Sequence, residues 1–520
     1  MYLVNSQEMK QCDNNTIAYY GMPSMVLMER AALSVFSEIT KRYPNKDSRI
    51  CVLCGVGNNG GDGFAIARLL HLFGYPVEVF CPGNKEKMTP ETKNQYDTAR
   101  KYHVPEIEEL PEYKYDVVID ALFGIGLSRQ IEGRLADILQ KLNQMPAYKI
   151  AVDISSGIAA DTGEQLGTAF QADLTVTFGF AKIGQLLYPG AEYTGELVVA
   201  DIGIDANSFL DKKPFGAYLA KEDAAKMLPV RKAYSNKGSY GKVLIIAGSP
   251  HMAGAAYFAA KAAYLSGCGL VRIFTAKENR EILLSKLPEA ILTTYDSEVV
   301  SLLPDGFKGY PQDLSSLPEC IQWADAVLIG PGLGCSMAAK KIVEEVLQYK
   351  EKKIVFDADA LNILSNQPQF PAGMTENQVI TPHLGEMSRL TNSSIEKIQK
   401  NLLQTATEFA KDHKMICVLK DARTVIGTPD GAFYINTTGN HGMATGGSGD
   451  VLAGFFTGLM AQGLSCQKAA ALSVYLHGRA GDLAALGKGA YSMLASDLLE
   501  GIPLAIQELS DFPLSKTRQF

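Results

Sequence analysis

The sequence predicts an α/β protein of two three-layer domains, each a mostly parallel sheet flanked by helices. Three observations carry that expectation. Short apolar runs end at glycine turns and alternate with amphipathic stretches, the pattern of repeated βα units. That pattern is interrupted over residues 204–222 (IDANSFLDKKPFGAYLAKE), where charge, Pro and Gly gather. Finally, 520 residues are more than one hydrophobic core serves.

In the first half the strand candidates are RICVLCG, PVEVF, DVVIDALF, KIAVDIS, LTVTFG and ELVVADIG. Between the first two, FAIARLLHLFG is apolar at helical spacing and closed by Gly74. The boundary is expected near 215, giving domains over 1–215 and 225–515. The second series begins with GKVLIIAGS and a small-residue helix. It continues through LVRIFTA, DAVLIGPG, KIVFDAD, QVITP, MICVLKD and TVIGTP. The run VLAGFFTGLMAQG after GGSGD reads as a buried helix with glycines for close packing.

Composition excludes several classes. With 47% hydrophobic and 20% charged residues the chain is ordinary for a soluble globular protein. A net charge of -7 argues against nucleic-acid or anionic-membrane partners. No stretch approaches the roughly 18 apolar residues of a spanning helix, and the N-terminus lacks signal-peptide features, so a cytoplasmic location is expected. The 9 cysteines are scattered. Cys51 and Cys54 lie three apart in a strand, hence on opposite faces, and read as core thiols rather than a metal pair. The 7 histidines show no HxxxH or HExxH spacing, which speaks against zinc.

Residues 55–63 read GVGNNGGDG between a strand and a helix. Gly55, Gly57 and Gly60 satisfy GxGxxG, and Glu78 near the end of the next strand completes a dinucleotide-site pattern. A tight turn that merely needs glycines is the plain alternative. Asp62 complicates the dinucleotide reading, because it puts a carboxylate where a helix N-terminus would welcome pyrophosphate. Asn58 and Asn59 offer amide oxygens, which suit a hard monovalent cation better than zinc. Asp120 closes DVVID before the glycine-rich ALFGIGLSR, and Asp153 closes KIAVD before ISSG. Ligands of such sheets bind beyond the strands' carboxyl ends, so loops carrying Asn59, Asp120 and Ser156 can converge on one oxygen-rich cation site. Taken singly, each aspartate is as readily a helix N-cap.

The strongest motif is NHGMATGGSGD (440–450), followed at once by a helix. Gly446, Gly447 and Gly449 permit a turn whose N–H groups point at one anion, with the helix dipole behind them. Asp450 in the helix's first turn can take a proton from a nearby hydroxyl, although capping the helix is the plain alternative.

GVGNNGGDG, DALFGIGLSR, AVDISSG and TVTFGFAKIGQLLYPGAEYTGELVVADIGI together resemble the NAD(P)HX epimerase (YjeF N-terminal) family, across about residues 1–215. NAD(P)HX is hydrated NAD(P)H, with a hydroxyl at C6 of the nicotinamide ring. The resemblance implies a Rossmann-like epimerase domain. Residues 58–62 (Asn58, Asn59, Gly60, Gly61, Asp62) and 124–130 (Gly124, Ile125, Gly126, Leu127, Ser128, Arg129, Gln130) then hold the hydrate. It also assigns Asn59, Asp120 and Ser156 to potassium and Asp153 to the substrate near its reacting carbon, and Lys182 falls in the matching run. Ser155 departs from the family's usual proline and is expected to loosen the turn. Inversion at C6, by ring opening or by reversible loss of the hydroxyl, needs acid–base help, and Asp153 is the candidate.

The TGGSGD loop resembles the ribokinase-like superfamily, with its glycine anion hole and aspartate base. AGSPHMAGAA, IGPGLG, FDADALN and TPHLGEM narrow this to a resemblance to the NAD(P)HX dehydratase family, over about residues 225–510. The fusion of the two matches the bifunctional NAD(P)H-hydrate repair family, an isomerase and lyase in one chain. By resemblance Ala255, Gly332, His383 and Asp450 contact the hydrate. Lys420, Asp421, Ala422, Arg423, Thr424 and Gly449 contact the nucleotide, with ADP and magnesium as the phosphoryl donor and a homo-oligomer as the assembly. Asp421 departs from the family's glycine and places a negative charge beside the phosphates. Two rivals remain. One is a ribokinase-type pyrimidine or thiazole kinase; the other makes the first domain a non-catalytic nucleotide-binding scaffold.

Overall fold

The computed structural model describes residues 1–111, 115–297 and 312–513. It divides into two compact units, Met1–Gly216 and Ala217–Phe520. The first contains β1 (Tyr2–Val4), β2 (Ile50–Cys54), β3 (Val77–Phe80), β4 (Glu106–Ile107), β5 (Val117–Ala121), β6 (Tyr148–Val152), β7 (Leu174–Phe178), β8 (Ala181–Lys182) and β9 (Glu196–Ala200). Its main sheet runs β4-β3-β2-β5-β6-β7-β9 with every neighbouring pair parallel. β1 and β8 form a short parallel pair outside that sheet.

The central strands ICVLC and VVIDA are buried along their whole length, because helices cover both faces of a parallel sheet. Cys51 packs with Phe80 and Val118 on one face, and Cys54 with Phe64 and Ile119 on the other. All nine cysteines are free, and no group of three or more His, Cys, Asp or Glu among the described residues is placed to hold a metal ion. From β2 the chain steps outward to β3 and β4, then returns to β5 and steps the other way. The order therefore reverses between β2 and β5, which opens a crevice beyond their carboxyl ends.

The helix Asn58–Phe73 leaves from that crevice and ends on Gly74 in the left-handed region, φ +98°. A Cβ on Gly60 would lie 1.9 Å from the Gly55 carbonyl oxygen, and one on Gly55 would lie 2.0 Å from that of Leu122. These glycines are thus required by backbone packing. Glu78 lies inside β3 and accepts a hydrogen bond from Tyr115 Oη at 2.6 Å. It lines a groove with Lys46 and Arg49 instead of the crevice, so the dinucleotide pattern lacks its ribose carboxylate.

A two-residue strand, β10 (Gly216–Ala217), lies at the unit boundary. The second unit adds β11 (Lys242–Ile246), β12 (Leu270–Ala276), β13 (Ile291–Tyr295), β14 (Ala326–Ile329), β15 (Lys353–Phe356), β16 (Gln378–Ile380), β17 (Ile416–Leu419), β18 (Val425–Gly427) and β19 (Phe433–Ile435). These run β13-β12-β11-β14-β15-β16-β17-β18-β19, parallel up to β17 and antiparallel from β17 through β19. The order reverses between β11 and β14, again with loops gathered at the carboxyl ends. The helix Ser448–Ala461 is buried almost all round. A Cβ on Gly454 would sit 2.0 Å from the carbonyl oxygen of Ala259, on the helix Ala253–Leu265, so the glycine permits that close crossing. No helix among the described residues is long and apolar enough to cross a membrane.

Candidate active sites

At the reversal in the first unit a cleft of about 790 Å³ opens. It is walled by Asn58, Asn59 and Asp62 from the helix after β2, residues 124–129 from the loop after β5, Asp153 from the loop after β6, and Lys182 in β8. Gly60 and Gly61 lie buried outside this lining, and Gln130 is exposed beyond it.

Asp120 is fully buried. Its carboxylate accepts the Ser156 N–H and Ser156 Oγ–H, each at 2.8 Å, and the Leu122 N–H at 3.1 Å. Ser156 Oγ in turn accepts the Phe123 N–H at 2.9 Å. Burial pushes the Asp120 carboxyl up to about 6, against those hydrogen bonds. Asn59 approaches the same loop, 3.4 Å from where a Gly124 Cβ would be, and its side-chain amide nitrogen is buried with no hydrogen-bond partner. The structure thus brings Asn59, Asp120 and Ser156 to one place. Ser155 does not loosen the turn: its buried hydroxyl donates to the Tyr193 carbonyl at 2.8 Å.

Asp153 adopts φ +66°, a conformation costly for a residue with a Cβ and held by its surroundings. Lys182 Nζ donates to its carboxylate at 2.5 Å, and Gln185 Nε2 donates to its carbonyl at 2.6 Å. Lys182 is fully buried, so Asp153 is its counter-ion. Sequence reasoning missed Asp13, which reaches the cleft from the helix Ser6–Ala18. Burial, with Asp153 adding, raises Asp13 to about 6 despite Lys182, and pushes Asp62 well above the carboxylate range.

In the second unit Gly447 at φ +90° turns the chain into the helix Ser448–Ala461. A Cβ on Gly446 would meet nothing within 4 Å, and one on Gly449 only Lys420 Nζ at 3.4 Å. Both positions therefore border open space, the second beside a cation. Lys420 Nζ donates to Asp357 Oδ1 at 2.9 Å, and Asp357 also accepts Thr381 Oγ1–H at 2.7 Å. Burial opposes the Lys420 charge, yet Asp357 and Glu386 outweigh it and hold the ammonium above its ordinary value. Burial, then Asp357, pushes Asp450 up to about 7, with Lys420 pulling the other way.

His383 caps the helix Leu384–Thr391: its Nδ1 accepts the Gly385 N–H at 3.0 Å. Gly332 at φ +56° presses against Ala255, whose Cβ would lie 2.9 Å from a Cβ placed on it. Lys420 through Thr424 form the turn of the β17–β18 hairpin. There Asp421 and Ala422 are exposed, Arg423 donates to the Thr437 carbonyl at 2.7 Å, and Thr424 is buried. The Asp421 carboxylate is thus in solvent. His477, also missed from sequence, is buried at mid-helix and donates Nε2–H to the Ser448 carbonyl at 3.0 Å. Burial pushes its imidazole down to about 4, leaving it neutral.

Two family descriptions match the chain: NAD(P)H-hydrate dehydratase over residues 243–504, and YjeF-related protein N-terminus over 24–184. The "Bifunctional NAD(P)H-hydrate repair enzyme Nnr" of Moorella thermoacetica is 38% identical over 98% of each chain. The chain belongs to the bifunctional NAD(P)H-hydrate repair enzymes. Like that family, it is an NAD(P)HX epimerase and NAD(P)HX dehydratase, and the kinase and scaffold rivals fall away. Among solved structures, a ribokinase-like superfamily protein from Enterococcus faecalis is 30% identical, covers 57% of this chain and 97% of its own, and superposes with a TM-score of 0.50. The ADP/ATP-dependent NAD(P)H-hydrate dehydratase from Bacillus subtilis, co-crystallised with ATP and Mg2+, is also 30% identical. It covers 56% of this chain and 98% of its own, with a TM-score of 0.47. Within the repair-enzyme family, the features singled out in this chain occupy both sheet reversals.

Proposed function

We propose that the cleft of the first domain, 1–215, holds the nicotinamide end of NADHX or NADPHX with Asp153 beside C6. Asp153, ion-paired to Lys182, takes the hydroxyl proton as the configuration at C6 is exchanged. Potassium fits the floor. Asp120 is a buried carboxylate with hydroxyl and amide donors but no cation, and Asn59 stands against the neighbouring Gly124 with an amide oxygen to offer. A bound potassium would supply the positive charge that keeps Asp120 ionised and ties the three loops together.

In the second domain, 225–515, Asp450 takes the C6 hydroxyl proton while that oxygen attacks the terminal phosphoryl group of ADP, and AMP leaves. Loss of the C5 proton and of phosphate then restores the ring double bond. Hydroxide is a poor leaving group and phosphate a good one. The amides at Gly446–Gly449 and the Lys420 ammonium face the transferring phosphoryl. Ala255, Gly332 and His383 border the hydrate, and Lys420–Thr424 with Gly449 the nucleotide. Magnesium would neutralise the donor's phosphates. A homo-oligomer and a cytoplasmic location complete the reading, both on family resemblance.

The observation that carries this reading is the open space over Gly446 and Gly449, next to Lys420 and beside Asp450. Supplying S-NADHX with ADP and magnesium should return the absorbance of NADH. Asp450→Asn should slow that return about 100-fold or more, and an undiminished rate would remove Asp450 from the chemistry. For the cation, exchanging potassium for lithium should slow epimerisation in the wild type but not in Asp120→Asn.

A further inference from the structure

The first-unit cleft holds more carboxyl groups than its buried lysine can balance. Lys182 Nζ donates to Asp153 Oδ1 at 2.5 Å, Thr177 Oγ1 at 2.7 Å and the Phe178 carbonyl at 3.1 Å, so its three hydrogens are committed. Asp13 and Asp62 line the same cleft from two different helices. Among the described residues no hydrogen bond or ion pair reaches either carboxyl. The charges that act on Asp62 are Asp153 and Asp13, both negative. Lys10, Glu91 and Arg129 are the other charged groups on the cleft wall. Three half-buried carboxylates around one buried ammonium do not all stay ionised. Asp153 already has the lysine as its ion-pair partner, which leaves Asp13 and Asp62 to share a proton.

Epimerisation needs such a division, because C6 must be released and re-formed from the opposite face. We propose that Asp62, sharing a proton with Asp13, is the general acid of epimerisation, opposite the Asp153–Lys182 base. The proposal rests on the assignment of this cleft to the hydrate. In the forward step Asp153 takes the proton of the C6 hydroxyl and the C6–O bond becomes a carbonyl. The C6–N1 bond breaks, its electron pair goes to N1, and N1 takes the proton from Asp62. Rotation about C5–C6 turns the other face of the aldehyde towards N1. On closure N1 attacks C6, the N1 proton returns to Asp62, and the carbonyl oxygen recovers its proton from Asp153. No proton is gained or lost, and neither oxidant nor reductant is needed. Asp13 acts as a positioning residue: its negative charge keeps the proton on its neighbour.

The test uses the full-length protein without ADP, following interconversion of purified R- and S-NADHX by chromatography. Asp62→Asn keeps the shape of the side chain and should lower kcat about 100-fold or more, with KM within about threefold. Asp13→Asn should lower kcat less and shift the alkaline arm of the pH profile, where Asp62 loses its proton, to lower pH, a change that loosened packing alone would not give. Asp62→Glu should recover part of the rate. Dehydration of S-NADHX by each variant confirms that the protein is folded. Asp62→Asn at the wild-type rate, with Asp153→Asn impaired, leaves the cleft assignment standing and overturns the proposal. Both variants at the wild-type rate overturn the assignment itself.

Discussion

The two units place their proposed sites alike and build them differently. Each uses the point where a parallel sheet reverses its strand order. The first unit lines that point with side chains: the Asp120–Ser156 knot, the Asp153–Lys182 pair and the Asp13 and Asp62 carboxyls. The second unit lines it with backbone, the open positions at Gly446 and Gly449, and adds one aspartate and one lysine. The difference follows the reactions. Exchange of configuration at one carbon moves protons between side chains. Phosphoryl transfer places charge on oxygens, which fixed N–H dipoles and a cation stabilise without rearranging.

The largest test of that contrast is Asp450→Asn. It should cut dehydration about 100-fold to 10,000-fold while R/S interconversion proceeds unchanged. Parallel loss of both activities, measured on one preparation, breaks the contrast. The same residue sets a pH dependence. Its carboxyl is raised to about 7, and the base must be ionised, so dehydratase kcat/KM should fall as pH drops below about 7. Lys420 lowers that value, so Lys420→Met should move the acid limb to higher pH. Lys420→Met also strands the buried Asp357 and should cost about 3–5 kcal/mol of stability by denaturant unfolding.

Smaller effects sharpen the comparison. Gly332→Ala forces a Cβ at φ +56° to within 2.8 Å of Met252 Cβ. It should cost about 1–3 kcal/mol and raise the KM for the hydrate in dehydration only. Ser155→Ala removes one buried hydrogen-bond donor and should cost about 1 kcal/mol, seen as a Tm lower by a few degrees without loss of either reaction.

The sequence displays the second site more fully than the first. TGGSGD announces itself because an anion-binding turn needs several glycines together. All thirteen strand candidates correspond to strands of the structure, since buried parallel strands read as unbroken apolar runs. β4, β8 and β10 went unseen at two residues each, β1 and β19 at three, and β13 because it is a half-exposed edge strand. Asp13 was illegible because a lone aspartate in the polar helix SQEMKQCDNNTIA looks like a solvated face. His477 was illegible because one histidine in a buried helix carries no spacing signal. Asp357 and Glu386 lay within FDADALN and TPHLGEM, but only packing shows that both act on Lys420. The expectation for Ser155 erred because it weighed ring rigidity and not the Tyr193 carbonyl within reach of the hydroxyl.

The central claim is that epimerisation belongs to the Asp153 cleft and dehydration to the Asp450 loop, joined only by the hydrate they share. The direct measurement is recovery of NADH from pure R-NADHX, compared with recovery from pure S-NADHX, in wild type and Asp153→Asn, with ADP and magnesium present. The account predicts that Asp153→Asn repairs the S form at the wild-type rate and the R form only as fast as it epimerises spontaneously. Equal recovery from both forms at wild-type rates would contradict it.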